Sequence, residues 1–168
     1  MEKDSKYWIE KLSLQKHPEG GYYKEVYRSE GSFNFSKDSA DFSRKRNFST
    51  SIYFLLEGND FSAFHRIKSD EIWHFYQGNC LIIYSIDKNG MLKEHLLGNN
   101  LEAGESLQQI IPKNTWFAAR LLSECGFALV GCTVSPGFDF SDFEMAKKIP
   151  LLQEFPQHSE IIEMLSIT

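Results

Sequence analysis

With 168 residues, 42% of them hydrophobic, and a formal net charge of −5, the chain fits one domain that buries most of its apolar surface. The acidic balance argues against a nucleic-acid partner, which needs a concentrated basic face. No stretch approaches the ~20 apolar residues of a membrane span, and the charged segment Met1–Lys6 lacks the apolar core of a signal peptide. The expectation is a cytoplasmic protein with no membrane partner.

In chain order, Asp4 or Ser5 caps a short helix through Tyr7–Leu12. His17-Pro-Glu-Gly-Gly21 is a turn whose glycine pair permits positive φ or close backbone approach. It is read either as a structural turn or as a pocket lid carrying His17 and Glu19. A strand follows over Tyr22–Tyr27. Residues 29–46 form a long polar loop in which Arg44-Lys45-Arg46 reads as a solvated loop or a pocket rim. Beyond it, strand runs succeed one another: Phe48–Leu56, Phe61–Ile67, Glu71–Tyr76, Leu81–Asp87, Met91–Leu97, Gln108–Ile111, Trp116–Leu122 and Phe127–Val134. Turn residues separate them, and Asn89-Gly90 between two alternating runs marks a hairpin. After Pro136-Gly137 the pattern predicts short helices over Asp142–Lys148 and Glu160–Leu165. Cys80, Cys125 and Cys132 are odd in number and scattered, and read as buried free thiols in a reducing compartment.

Many short strands closed by turns predict a sandwich or barrel. His65, the segment from Glu71 to Gly78, Gly104 and Pro112 resemble the two sequence motifs of the cupin superfamily. That resemblance implies an all-β cupin jelly roll (a double-stranded β-helix) with short N- and C-terminal helices. It gives a single cupin domain over residues 1–168, with the jelly-roll core at about 20–135. It also implies a metal site, but Ile67 and Phe117 stand at two of the four ligand positions. If a metal is held, His65 and Glu71 hold it, with a further ligand from elsewhere such as His17, His95 or Gln109. The expectation is no metal and no cofactor.

Strand alternation sorts the remaining candidates. Phe61, Ala63, His65 and Ile67 share one face; Glu71, Trp73 and Phe75 share another, with His74 turned away. His65 and Glu71 are expected to pair inside one largely apolar cavity, with His65 the general base, Glu71 its orienting partner and Tyr53 the acid. Read instead as structure, the pair is a leftover of a metal-binding ancestor. Trp73, Phe75, Gln109 and Trp116 are candidate ligand contacts, although core packing is the commoner role of such tryptophans. Arg66 and Arg120 are either anion clamps or members of surface salt bridges.

The run of His17-Pro-Glu-Gly-Gly-Tyr-Tyr23, Ser51–Leu56, Phe64-His-Arg66, Ser69–His74, Leu129–Val134 and Pro136–Phe140 is similar to a widespread cupin family labelled as a domain of unknown function. The resemblance implies a homodimer, for which the doubly apolar run Phe48–Leu56 also argues. It implies relation in fold to the dTDP-sugar 3,5-epimerases, which work without metal through a histidine base, a supporting carboxylate and a tyrosine acid. The function expected is small-molecule binding with metal-independent epimerisation or isomerisation of a carbohydrate or keto-acid-like metabolite. The alternatives are a non-catalytic ligand-binding protein and a metal-dependent oxygenase or isomerase with a degenerate site.

Overall fold

The computed structural model describes residues 3–35 and 45–167. The Asp4 carboxylate accepts the Tyr7 N–H at 2.9 Å and starts helix α1 (Ser5–Leu12). Among the described residues thirteen strands follow: β1 (Gln15–Lys16), β2 (Tyr22–Arg28), β3 (Ser32–Asn34), β4 (Lys45–Asn47), β5 (Thr50–Glu57), β6 (Phe61–Arg66), β7 (Asp70–Gly78), β8 (Leu81–Ile86), β9 (Leu92–Leu97), β10 (Gln108–Ile111), β11 (Trp116–Leu121), β12 (Phe127–Ser135) and β13 (Glu144–Met145). Helices α2 (Lys148–Glu154) and α3 (Ser159–Met164) close the described chain.

Two antiparallel sheets, ordered β1-β2-β5-β12-β7-β10 and β13-β6-β11-β8-β9, build a jelly roll; β3 and β4 form a separate hairpin. Alternation makes each strand two-faced. Inward residues such as Phe54, Trp73, Phe117, Leu121 and Val130 fill the space between the sheets. Outward Leu55 and Leu129 pack under α1. Outward Phe64, Tyr84 and Trp116 pack under α2 and α3.

Four expectations need correction. The predicted helix over Asp142–Lys148 is instead a 3₁₀ turn (Phe140–Asp142) followed by β13, because β6 offers an edge that pairs with Glu144 and Met145. The helix comes later, with Pro150 in its first turn, where its missing N–H costs little. The long loop contains β3 and β4, and Arg46 is buried rather than solvated. Its guanidinium binds Asp142 through Nη2 at 2.7 Å and Ser141 at 2.8 Å. Arg44 lies outside the described residues. Of the thiols, Cys132 is buried, Cys80 is half-buried and Cys125 is exposed. The second apolar face of β5, from which a two-fold contact was argued, is covered by the chain's own α1.

The turn after β1 docks on β6. Glu19 accepts the Ala63 N–H through its carbonyl at 2.8 Å, and His17 and Gly20 close the turn. Gly20 has φ +115°, and a Cβ there would stand 2.0 Å from the Phe61 carbonyl oxygen. Only glycine permits both the angle and the approach. Gly20→Ala is therefore expected to destabilise the fold by more than ~1 kcal/mol in denaturant unfolding. A stability equal to wild type would show that the turn does not bear on β6 as described.

Candidate functional site

One cavity of about 370 Å³ opens between the two sheets. Sheet residues Tyr23, Thr50, Ile52, Phe54, Cys132 and Val134 form one wall. His65 and Ile67 face them, the turn residues His17 and Glu19 form a side, and Phe138, Phe140 and Phe143 lie across it. A bulge in β2 shifts the register between Glu25 and Tyr27, so Glu25 and Arg28 both reach the lining.

Glu19 is the hub of the inner end. Its Oε2 lies 3.1 Å from His65 Nε2 and 3.5 Å from His17 Nδ1, while Oε1 accepts the Ser62 hydroxyl at 2.8 Å. His65 Nδ1 stands 2.7 Å from the Ala63 carbonyl, an acceptor only, so Nδ1 carries a proton. Nε2 is then the basic nitrogen, and its contact with Glu19 holds a single shared proton. Burial lowers His65 to about 4 and raises Glu19. Both effects favour the neutral arrangement, a Glu19 carboxylic acid donating to His65 Nε2. The Glu19 N–H points at His17 Nδ1 at 3.3 Å, which makes that nitrogen an acceptor; burial also lowers His17.

Glu71 comes from the start of β7. Burial, and then the nearby Glu19 carboxyl, push it up to about 8, against a favourable contact from the Cys132 thiol. The thiol is itself raised, by burial first and then by Glu71. At neutral pH the inner end thus presents an un-ionised carboxyl, a neutral imidazole and a thiol. At the mouth, Arg28 binds Glu25 at 2.6 and 2.9 Å, Asn47 at 3.0 Å and the Phe138 carbonyl at 3.1 Å.

The placement of the expected residues is mixed. His65 and Glu71 line one cavity, but the carboxyl on the His65 ring is Glu19, not Glu71. Glu19 and His17, left open as a lid or a turn, belong to the lining. Tyr53 alternates with Ile52 and Phe54, so it faces outward, 6.0 Å from the Tyr76 ring. Trp116 and Arg66 are outward for the same reason: each neighbours an inward residue, Phe117 or His65. They meet each other, with the guanidinium 4.2 Å from the indole centroid, and Arg66 also binds Glu144. Arg120 bonds the Tyr84 hydroxyl and the Leu121 carbonyl. Trp73 and Phe75 do point inward, but into the filled end of the interior. Gln109 bonds the Leu96 carbonyl at 3.1 Å, away from the cavity.

The residues do not fit a metal ion. Ile67 and Phe117 offer only carbon at two ligand positions, and the Phe117 ring lies 4.1 Å from that of His65. Both nitrogens of His65 are engaged within the protein. His95 is turned to Ser85 at 2.8 Å, and His17 Nδ1 takes a backbone N–H. Among the described residues no group of three or more His, Cys, Asp and Glu is placed to hold a metal ion.

Fold and cavity together define a jelly-roll protein with a cavity between its sheets and apolar residues where metal ligands are expected. Residues 6–146 match the family described as Cupin superfamily (DUF985), and the chain belongs to that family. It is 33% identical to the uncharacterized protein YML079W of Saccharomyces cerevisiae, covering 83% of this chain and 73% of that protein. Among solved structures it is similar to protein SO0799 from Shewanella oneidensis (41% identity, TM-score 0.89, 99% of each chain). A hypothetical protein from Leishmania major is 33% identical, with TM-score 0.89 over 98% of this chain and 99% of that one. Oxalate decarboxylase is alike in fold alone, at 19% identity and TM-score 0.54 over 89% of this chain and 36% of that one.

Stability should carry the mark of Glu71. Its folded value of about 8 exceeds the ~4.3 of an unfolded glutamate, so between these values the folded chain keeps a proton that the unfolded chain has lost. Stability therefore falls as pH rises, by up to about 1.4 kcal/mol per pH unit. His65 acts oppositely, adding stability as pH rises from about 4 toward its unfolded value near ~6.5, and no more above that. Between pH ~6.5 and ~8 the unfolding midpoint should decline in wild type, and decline less in Glu71→Gln. Equal slopes in the two proteins would contradict the raised Glu71.

Proposed function

We propose that the protein binds a small oxygenated metabolite in this cavity and isomerises or epimerises it by proton transfer. The observation that carries this reading is the buried Glu19–His65 pair, 3.1 Å apart, in the same cavity as Glu71. Shifting the shared proton onto His65 Nε2 frees a Glu19 carboxylate, stabilised by the new imidazolium. That carboxylate takes a proton from a carbon next to a carbonyl. Glu71, un-ionised near neutrality, hydrogen-bonds the carbonyl oxygen and donates to it as the enol forms. Return of a proton to carbon, at the other face or at the neighbouring position, completes the change. His65 thus supports the base rather than acting alone, and no step calls on Tyr53.

A second reading, non-catalytic ligand binding, is favoured by the engagement of both His65 nitrogens inside the protein. One assay separates the two. Purified protein is incubated in D₂O with a small-molecule extract of its source cells, and deuterium uptake into metabolites is read by mass spectrometry. Wild type is expected to label a metabolite, with the label lost or cut at least ~100-fold in Glu19→Gln and His65→Asn. A metabolite retained by the protein without labelling favours binding alone; labelling unchanged in both variants contradicts the proposed roles.

A further inference from the structure

The charges around the cavity restrict what enters it. Among the described residues the lining contains one guanidinium, Arg28, and no lysine. Arg28 already makes four hydrogen bonds, two of them to Glu25. Asp139 also lines the mouth; hydrogen bonding from the Ser141 side chain and then its N–H, with help from Arg46 and Arg28, holds it below the usual carboxylate range. Among the described residues an anionic ligand therefore meets two carboxylates and no uncommitted cation. The inner end offers little compensation: burial lowers the His65 and His17 imidazoles, so they resist taking up charge, and holds the Glu19 and Glu71 carboxyls above the usual carboxylate range. An isolated charge brought there loses its hydration without gaining a partner.

Shape restricts it further. Phe54 and Phe143 flank the His17 ring at 6.1 and 6.3 Å, and Phe143 lies 5.3 Å from the His65 ring at an interplanar angle of 30°. Phe138 and Phe143, both in the lining, pack against each other with ring centroids 6.2 Å apart. Flat apolar walls on several sides suit a ring, and about 370 Å³ is at the small end of ligand pockets. The Glu71 carboxyl also faces the lining, beside Cys132.

We infer that the ligand is an uncharged ring compound bearing a carbonyl or hydroxyl oxygen, seated among Phe54, Phe138 and Phe143 with that oxygen on the Glu71 carboxyl. Nucleotide sugars and free keto acids suit it poorly by the same argument, since each brings an anionic group to a site whose described residues offer no free cation. This inference names the substrate class of the proposed site and rests on that reading for the site's location. Binding and proton transfer are measured separately, so either can fail alone.

The test uses three probes of one size that differ in charge: acetophenone, benzoate and benzylammonium. Binding to the full chain at pH 7 is followed by saturation-transfer NMR with concentration series. Acetophenone is expected to bind, with benzoate at least about tenfold weaker and benzylammonium also clearly weaker than acetophenone. Glu71→Leu should weaken acetophenone about fivefold or more, whereas Glu71→Gln, whose amide still donates, should stay within about twofold of wild type. Circular dichroism confirms that each variant is folded. Benzoate or benzylammonium binding as well as acetophenone, no detectable acetophenone binding, or a folded Glu71→Leu that binds acetophenone like wild type would each overturn the inference.

Discussion

Glu19 Oε2 sits between two imidazole nitrogens, with Ser62 on the other oxygen of the same carboxyl. Three segments meet on this one group: the turn after β1, strand β6, and through the cavity the start of β7. A carboxyl that is almost fully buried is costly unless its polar atoms are matched. Here they are matched by neutral donors and acceptors, so the arrangement tolerates low dielectric without a free charge. Its position depends on Gly20, which lets the turn lie against the β6 backbone closely enough for Glu19 to reach His65. The raised Glu71 follows from the same packing, because Glu19 is its charged neighbour whenever both ionise.

The interior of the jelly roll is divided by what its inward residues can fill. Toward one end Trp73, Phe54 and Phe117 meet edge to face, at 5.7 and 6.3 Å between centroids, and close the space. Toward the other, Ile67, Cys132, Thr50 and Val134 are smaller and leave the cavity open. The segment carrying Phe138, Phe140 and Phe143 is held over that opening by backbone and side-chain bonds to neighbours. Thr50 Oγ1 accepts the Phe138 N–H at 2.9 Å, Asn47 accepts the Gly137 N–H at 2.8 Å, and Arg46 binds Asp142 and Ser141. A buried ion pair such as Arg46–Asp142 is a weak source of net stability but a strict geometric constraint. In this position it fixes the aromatic wall rather than the core.

Most strands were legible because alternation and turn residues are local signals. The Asn89-Gly90 hairpin is one case: Ile86 pairs with Leu92 across it. The inward direction of His65 and Glu71 was legible for the same reason. The same parity, applied to the rest, assigns Trp116 and Arg66 to the outer face once Phe117 and His65 are inward, and turns Tyr53 away from Ile52 and Phe54. What alternation does not reveal is which parts of an inward face are filled, so Trp73 and Phe75 were legible as inward but not as core. Glu19 was the harder residue. It lies in a turn, where periodicity says nothing, and far upstream of its partner. Its signal is chemical: a glutamate beside two glycines that permit close backbone approach, within one of the segments that carry the family resemblance.

The central claim is that Glu19 and His65 share one proton with His65 Nδ1 protonated and the imidazole neutral. Nitrogen-15 NMR of the histidine side chains through a pH titration tests it directly. The account predicts that His65 shows a protonated Nδ1 and an unprotonated, hydrogen-bonded Nε2 at pH 7. That pattern should persist until the pH approaches about 4, and Glu19→Gln should perturb the Nε2 signal. An imidazolium at pH 7, or a His65 titrating near the ordinary ~6.5 of an exposed histidine, would contradict it.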